Sequence, residues 1–366
     1  MIDRPFGRFY LPGPTDVRPE ILAVMARPMM SHRGREFEAM FATIQAGLGE
    51  IFLTARPVYV IPGSGTAAME AAIRNVGEGP ILSLVNGAFS SRFADIAESC
   101  GHAVTRLEAA PGSTFDLNAV EEALGRGRYV ALTVAHSETS TGVVSDVKTI
   151  AGLAQKHDVL SLVDSVSGIA GAELCADAWG IDFVLSASQK AIAIPPGLAF
   201  AVASPQYIAR AAKAKNRGRY FDVLELEKFS GIHQTTTTPA LSLLYALEAQ
   251  LQNIALEGIE RRWGRHLAMR RATEFWVGAA SERTGLPLAI LAVEGARSPT
   301  VTAIALPPRL DPKRLLDAVT ARGYVIGPGQ GPLAKSTVRI GHMGDHSIDG
   351  LATCLNVVEE ALKEVG

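Results

Sequence analysis

The sequence predicts an α/β protein in which a large domain, built on a mainly parallel seven-stranded sheet, precedes a smaller C-terminal α/β domain. Short apolar runs alternate with longer segments of helical period, which is the pattern of strand–helix–strand units. Several runs are continuously apolar, as parallel strands buried on both faces are. With 366 residues, 48% of them hydrophobic, the chain is long enough for two domains that each bury a core.

Seven apolar runs are predicted to form the large sheet: Val58–Ile61, Ile81–Val85, Ala103–Leu107, Tyr129–Ala135, Val159–Val163, Phe183–Ser186 and Leu198–Ala203. Helices are predicted between them at Thr66–Val76, Ser90–Cys100, Leu117–Leu124, Val147–His157 and Pro205–Lys215. Parallel strands are joined by right-handed crossovers, so helices should cover both faces. Ligands of such sheets bind beyond the carboxyl ends of the strands.

The pattern changes after Gln250, where a long helical stretch at Gly258–Arg283 leads into strands near Val301–Leu306 and Val338–Ile340. A last helix is predicted at Ile348–Lys363. We predict an N-terminal arm at residues 1–15, a large domain at 16–255 and a small domain at 256–366. The long stretch carries arginines that we expect to form a solvated charged face: Arg261, Arg262, Arg265, Arg270 and Arg271.

Composition excludes several classes of protein. Lys and Arg number 35 against 37 Asp and Glu, a net charge of −2, so neither nucleic acid nor an anionic membrane is expected as a partner. Three cysteines without C-x-x-C spacing argue against disulfides and a structural metal site. The longest apolar stretch, Ala191–Ala203, contains two prolines and is shorter than the roughly 18–20 residues of a membrane span. The N-terminus lacks the apolar core of a signal peptide, so we expect a cytoplasmic protein.

Two motifs place an amine and a carboxylate at strand ends. V-D-S-V-S-G contains Asp164 and S-A-S-Q-K ends at Lys190, and each motif follows an apolar strand. Pyridoxal-phosphate (PLP) chemistry needs an amine that forms a Schiff base and a carboxylate that keeps the pyridine nitrogen protonated. Separately, Asp164 could be a helix cap and Lys190 a solvated side chain. Their order and their common place at strand ends favour the cofactor.

A glycine-rich turn, P-G-S-G-T-A-A-M-E at Pro62–Glu70, follows the first strand. The N–H groups and dipole of the helix that it opens make an anion site. Gly63, Gly65 and Ala68 also match the dinucleotide-binding pattern G-x-G-x-x-A. A dinucleotide-binding site would also need an Asp or Glu at the end of the next strand, and the strand that ends at Val85 is not followed by one. A single phosphate is therefore favoured over NAD, and a turn that only caps the helix is the alternative without a ligand.

Two further segments carry polar groups. The loop A-H-S-E-T-S-T-G-V at Ala135–Val143 could provide hydroxyls at the same sheet edge, although by itself it is only a Ser/Thr-rich loop. In V-R-I-G-H-M-G, Arg339 alternates with its apolar neighbours, and its guanidinium suits a substrate carboxylate. A surface arginine is the alternative. We expect His342 to be structural.

Taken in this order, the motifs resemble class V (fold type I) PLP-dependent aminotransferases, in particular the alanine–glyoxylate, serine–glyoxylate and serine–pyruvate enzymes. The resemblance runs through L-P-G-P-T, S-H-R-G-R-E-F, G-S-G-T, N-G-A-F, H-S-E-T-S-T-G, V-D-S-V-S, S-Q-K-A, P-P-G-L-A, T-T-P-A-L-S-L and V-R-I-G-H-M-G. It covers nearly the whole chain. It implies PLP as cofactor and a homodimer whose subunits share their active sites.

The resemblance also implies residue roles. Lys190 would bind the cofactor covalently and shuttle the substrate proton, Asp164 would bind the pyridine nitrogen, and Arg339 would hold the substrate carboxylate. The backbone of Pro12 and Gly13 would line the substrate pocket. The remaining cofactor contacts would be Ser64, Gly65, Thr66 and Gln189 at the phosphate, Phe89 and Val166 on the two ring faces, and Thr139 at the ring hydroxyl, with Gln234 and Thr237 reaching the phosphate of the second subunit. Several family members carry Tyr in place of Gln234.

The implied reaction is ping-pong transfer of an amino group from alanine, serine or aspartate to glyoxylate or pyruvate. Arg33 is a hypothetical second cation for an aspartate donor. The main alternative is a 2-aminoethylphosphonate–pyruvate aminotransferase, which shares N-G-A and H-S-E-T-S-T-G. A cysteine desulfurase is disfavoured because residues 327–337 contain no Cys. A catalytically silent scaffold subunit and an NAD-dependent dehydrogenase are the alternatives of other classes.

Overall fold

The computed structural model describes residues 6–366. Its strands are β1 (Arg8–Tyr10), β2 (Val58–Pro62), β3 (Ile81–Val85), β4 (Val104–Glu108), β5 (Ala131–Ala135), β6 (Ser137–Glu138), β7 (Val143–Val144), β8 (Leu160–Asp164), β9 (Phe183–Ala187), β10 (Leu198–Ala203), β11 (Ala289–Ile290), β12 (Val301–Ala305), β13 (Tyr324–Pro328) and β14 (Thr337–Gly341). Residues 1–5 of the predicted N-terminal arm lie outside the described residues.

The helices are α1 (Pro19–Val24), α2 (Arg35–Phe52), α3 (Gly65–Arg74), α4 (Ala88–Ser99), α5 (Leu117–Arg126), α6 (Val147–Lys156), α7 (Pro205–Ala211), α8 (Val223–Ser230), α9 (Leu241–Glu257), α10 (Ile259–Thr284), α11 (Pro312–Ala321) and α12 (Ile348–Val365), with a 3₁₀ turn at Gly331–Lys335. Over residues 6–366, none of them has the length and hydropathy needed to cross a membrane.

The large sheet has seven strands, as predicted, and their order is β2-β10-β9-β8-β5-β3-β4. Its pairs are parallel from β9 through β8, β5 and β3 to β4, whereas β10 runs antiparallel to both β9 and β2. Every residue of β3, β5, β8, β9 and β10 is buried. This burial explains their continuous apolar sequences, since helices cover both faces.

Successive side chains of each strand pack into different cores. Val60 belongs to a cluster with Phe41 of α2 and Leu247 of α9. Its neighbour Tyr59 belongs to the opposite cluster, which includes Ile73 of α3. This alternation follows from the two-residue period of a strand. The sheet is therefore a layer between two helical layers.

The second main sheet has the order β1-β13-β14-β12-β11 and lies in the C-terminal part of the chain, apart from β1. Its apolar cluster includes Trp276 of α10, Leu315 of α11 and Leu355 of α12. Arg8 to Tyr10 pair in parallel with Tyr324 to Ile326. Residues 8–10 thus form an edge strand of the small sheet.

Helix α7 ends at Ala211, four residues before the predicted end at Lys215. The guanidinium of Arg217 explains the early end, because its Nη1 donates to the carbonyls of Ala211 at 3.2 Å and Ala214 at 2.5 Å. A side chain from beyond the helix satisfies acceptors that would otherwise lack partners.

The prediction of a solvated arginine face on α10 is wrong for three of its five arginines. Arg262 is only 1% exposed and donates to Asp345 at 2.9 Å and to the carbonyl of Ala191 at 2.6 Å. Arg265 and Arg270 are also mostly buried, while Arg261 and Arg271 are exposed. Arg262 and Arg265 are buried because α10 packs against the loop that follows Lys190 and against the 344–346 segment, whereas Arg270 donates to the carbonyl of Arg297 at 3.2 Å.

Candidate active site

A cavity of about 170 Å³ lies beyond the carboxyl ends of β2, β3, β5, β8 and β9. It contains every cofactor residue predicted within one subunit. The lining residues are Ser64, Gly65, Thr66, Met69, Phe89, Arg92, Ser137, Thr139, Asp164, Val166, Ser167, Gln189 and Lys190. The strand order therefore brings these residues together from five separate segments.

Lys190 lies in the turn after β9 and is 8% exposed. Its Nζ donates a hydrogen bond to the carbonyl of Pro12 and lies 5.9 Å from the centre of the Phe89 ring. Burial, together with the nearby cation of Arg339, lowers the pKa of Lys190 to about 8, although Asp164 acts in the opposite direction. A larger share of this amine is consequently neutral, and so nucleophilic, near pH 7 than for an ordinary lysine.

The segment around Gly13 is fitted closely to the lysine. A Cβ added to Gly13 would lie 2.6 Å from Lys190 Nζ, and the residue has a φ of +105°. Thr15 fixes the segment, since its N–H donates to the carbonyl of Gln189 at 3.1 Å and its hydroxyl to that of Lys190 at 3.2 Å. The predicted proximity of Pro12 and Gly13 to the site is present, with the Pro12 carbonyl directed at the amine.

Asp164 ends β8 and is 5% exposed. Its Oδ1 accepts a hydrogen bond from the N–H of Val166 at 2.8 Å. Burial raises the pKa of Asp164 to about 7, although that hydrogen bond and the cations of Lys190 and Arg92 act in the opposite direction. A protonated ring nitrogen beside this carboxyl would supply the charge that favours its ionised form.

The phosphate region is the start of α3. Ser64 is the N-cap residue, and no described side chain caps the N–H groups of this helix end. A Cβ on Gly65 would lie 2.6 Å from Val166 Cγ2, so only glycine lets this turn approach Val166 so closely. Free N–H groups at a ten-residue helix suit a phosphate. Together with Lys190 and Asp164, this cradle fits PLP.

Arg339 of β14 is 9% exposed and belongs to the five-stranded sheet. Its Nε donates to the carbonyl of Pro328 at 2.8 Å and its Nη1 to that of Thr139 at 3.1 Å. Within residues 6–366, no carboxylate pairs with it and its Nη2 forms no hydrogen bond. Burial lowers the pKa of Arg339. A buried cation without a counterion is costly, so this one is suited to an anionic ligand.

Gln234, Thr237 and Arg33 are not part of the cavity in their own subunit. Arg33 Nη1 donates to Gln234 Oε1 at 3.0 Å and to the carbonyl of Thr235 at 2.8 Å, and Gln234 Nε2 donates to Glu38 at 2.7 Å. The Thr235 hydroxyl in turn donates to the carbonyl of Thr237 at 2.8 Å. The predicted second-subunit residues and the predicted substrate cation thus form one surface group, which we call the Arg33 cluster.

Several lining residues were not predicted. Ser137 lies in the A-H-S-E-T-S-T-G-V loop and Ser167 in the V-D-S-V-S-G motif, but the sequence predicts no cofactor contact for either. Met69 follows the glycine-rich turn. Arg92 lies 4.9 Å over the ring of Phe89, three residues away on α4. The i, i+3 spacing from a predicted ring-stacking residue was the available signal for Arg92. His342 is structural, as expected, since its Nε2 bonds Thr302 Oγ1 at 2.9 Å in the buried small sheet.

A lysine and an aspartate at adjacent strand ends, an uncapped helix terminus and a half-buried aromatic ring define an enzyme of the fold type I PLP-dependent class. Residues 20–280 match the family model for class V aminotransferases. The chain belongs to this family, and it is a PLP-dependent transaminase.

Known proteins of similar sequence and structure agree. An uncharacterized aminotransferase of Methanocaldococcus jannaschii is 36% identical over 97% of this chain and 92% of its own. A solved alanine–glyoxylate aminotransferase from Nostoc sp. is 30% identical, with a TM-score of 0.91, over 99% of this chain and 96% of its own. A solved aspartate aminotransferase from Thermus thermophilus is 30% identical, with a TM-score of 0.88, over 98% of this chain and 100% of its own.

Proposed function

We propose that this enzyme moves the amino group of a small amino acid, namely alanine, serine or aspartate, to glyoxylate or pyruvate by a ping-pong mechanism. The observation that carries the proposal is the buried Arg339 guanidinium, whose Nη2 has no partner within residues 6–366. A carboxylate of a 2-amino or 2-oxo acid would satisfy it. Both half-reactions then use the same anchor, because both substrates carry that carboxylate.

The chain's own residues divide the chemistry. When bound, PLP withdraws electrons from the α-carbon of an amino acid, which makes the α-proton removable near neutral pH. Asp164 would hold the pyridine nitrogen in its protonated form, and Lys190 Nζ would take the α-proton and later return it. The Pro12 carbonyl orients Nζ. Phe89 would lie against one face of the cofactor ring.

The Arg33 cluster bears on the choice of donor. We propose that a homodimer brings Gln234 and Thr237 to the phosphate of the partner subunit's cofactor. Because Arg33 is hydrogen-bonded to Gln234 and Thr235, it would enter the same neighbouring site. There its charge would favour a donor with a second carboxylate, such as aspartate. The solved relatives named for alanine and for aspartate support both donors equally.

The test is the visible spectrum of the purified protein with bound PLP. Alanine, serine, aspartate and 2-aminoethylphosphonate are added separately, and then glyoxylate or pyruvate. We expect one of the three amino acids to bleach the cofactor band and a 2-oxo acid to restore it. Lys190→Ala should fail to complete the cycle. Bleaching by 2-aminoethylphosphonate alone would contradict the proposal and favour the phosphonate alternative.

The donor hypothesis has its own control. Arg33→Ala should raise the KM for aspartate and leave that for alanine unchanged, because only aspartate carries a second carboxylate. Arg35→Ala changes another exposed arginine two residues away and should leave both unchanged. An equal loss for alanine and aspartate in Arg33→Ala would contradict a role in donor choice. Size-exclusion chromatography with light scattering tests the dimer.

A further inference from the structure

Glu138 is a fully buried carboxylate that the mechanism above does not use. Its side chain is 0% exposed, and no cation lies within ion-pair distance of it among residues 6–366. It lies in the short strand β6, next to Thr139. A buried carboxylate is costly unless hydrogen bonds replace its water. The partners of Glu138 therefore show what the charge does.

Five hydrogen bonds converge on Glu138, from two segments. Oε2 accepts from the N–H of Phe89 at 3.0 Å and from the N–H and hydroxyl of Ser90 at 2.9 and 3.0 Å. Oε1 accepts from the N–H and hydroxyl of Ser140 at 3.1 and 2.6 Å. The carboxylate thus serves as the cap of α4, whose first N–H groups it occupies.

Both segments carry residues of the site. Phe89 supplies the aromatic ring over the cofactor position, and Thr139 lies between Glu138 and Ser140. The carbonyl of Thr139 in turn accepts from Arg339 Nη1 at 3.1 Å. One carboxylate therefore connects the ring face, the ring-hydroxyl contact and the substrate anchor. The fit is tight, because a Cβ on Gly87 would collide with the Glu138 side chain.

We propose that Glu138 is a positioning residue, which sets Phe89, Thr139 and Arg339 relative to one another and thereby determines affinity for the cofactor and for the substrate carboxylate. The inference rests on the proposed function, because it takes the roles of these three residues from it. Glu138 also adds negative charge near the site, and this charge raises the pKa of both Asp164 and Lys190.

The direct test is Glu138→Gln in the full-length protein. The amide keeps the shape but replaces one acceptor oxygen with a donor that faces N–H and O–H groups. We expect the dissociation constant of PLP, measured by titrating the apoprotein, to rise about 10- to 100-fold, since a hydrogen bond to a charged group contributes about 1.5–3 kcal/mol. The KM for the amino donor should rise as well, because Arg339 loses its fixed support.

Asp182→Asn is the matched control. Asp182 is also buried, and it accepts from the N–H of Ser161 at 2.9 Å and from the hydroxyl of Ser204 at 2.7 Å. It lies just before β9, at the opposite end of this strand from Lys190. Its amide variant should lower the thermal midpoint of the apoprotein without changing PLP affinity or the donor KM. A structural role for Glu138 predicts the same behaviour in Glu138→Gln.

The outcomes separate clearly. If Glu138→Gln binds PLP and the donor like wild type, or loses no more affinity than Asp182→Asn, the positioning role is refuted. If Glu138→Gln does not fold, Ser140→Ala decides. It removes one donor to Glu138, together with the acceptor of the Ala88 N–H, and keeps the charge. Weaker PLP binding supports the role, and unchanged binding overturns it. Failure of the proposed function is distinct, since wild type itself would then not transfer amine from any of the three donors.

A double-mutant cycle tests the route through the ring. Phe89→Leu removes the aromatic face without touching the backbone N–H that Glu138 accepts. If Glu138 acts partly through Phe89, the two changes together should weaken PLP binding by less than the product of their separate effects. A simple product of the two effects would refute the route through Phe89.

Discussion

Replacing Gly13 by alanine is expected to displace the amine of Lys190. The added methyl would lie 2.5 to 2.7 Å from Cδ, Nζ and Cε of the lysine, closer than non-bonded carbon atoms approach. Its φ of +105° is also a conformation that L-residues rarely adopt. Either the backbone at Pro12 or the lysine side chain must move, and the two are joined by a hydrogen bond.

The size of the effect follows from how far the amine moves. A positive φ costs a non-glycine residue about 1–2 kcal/mol. The added methyl first meets the far end of the flexible lysine side chain, which can shift at little cost. A displacement of about 1 Å at a reacting atom can reduce the rate about 100-fold. We therefore expect kcat/KM to fall about 100-fold.

The assay pairs Gly13→Ala with Gly152→Ala. Gly152 lies in α6, and a Cβ there would meet nothing within 4 Å. In a helix interior this change should stabilise the protein by about 0.5–1 kcal/mol. Thermal midpoints of the apoproteins, rates of PLP incorporation and kcat/KM are measured for both. Wild-type incorporation and turnover in Gly13→Ala would refute the steric reasoning.

Three further predictions concern charge. Asp164→Asn should lower the single-turnover rate of amine transfer about 10- to 100-fold, since a hydrogen bond to a charged group contributes about 1.5–3 kcal/mol; an unchanged rate would contradict its role. Only neutral Lys190 reacts, so the rate of PLP incorporation into apoprotein should rise with pH and level off above a pKa of about 8. A rate that keeps rising towards pH 10.5, the ordinary pKa of lysine, would show that burial does not lower the pKa of this amine. Arg262→Met should lower the free energy of unfolding by about 1.5–3 kcal/mol, because it removes one of the two cations paired with the buried Asp345 and leaves only Arg18. Arg271→Met, at an exposed position of the same helix, should change that free energy by less than about 0.5 kcal/mol in the same denaturant titration.

The large sheet could be predicted because its strands are buried on both faces. A run such as Phe183–Ala187 must be apolar throughout, and it stops where the chain reaches solvent or a ligand. Polar residues that follow such runs therefore mark one edge of the sheet. This pattern predicts Asp164 and Lys190 as site residues without reference to any family.

Contacts between the domains could not be predicted from local pattern. Arg339 lies 200 residues from Thr139, whose carbonyl accepts its hydrogen bond. Hydrophobic periodicity along the sequence does not predict a contact of this kind. The charged face of α10 shows the same limit. A helical period identifies which arginines share a face, but whether Arg262 meets water or Asp345 depends on what packs there. The sequence does not predict a role for Glu138, because a polar loop at a sheet edge is expected to be solvated. In the structure, N–H and O–H donors surround its carboxylate.

The path of the N-terminal segment has a consequence for synthesis. Strand β1 pairs with β13 near the other end of the chain, and the residues immediately after it hold Lys190 through the Pro12 carbonyl. When the ribosome has synthesised only the strands of the large sheet, the nascent chain contains Asp164 and Lys190 but lacks β13, the strand with which β1 pairs. Closing so long a loop is among the last and slowest events in folding. The lysine should thus reach its final orientation only after translation of the C-terminal domain, which delays full activity until the whole polypeptide exists.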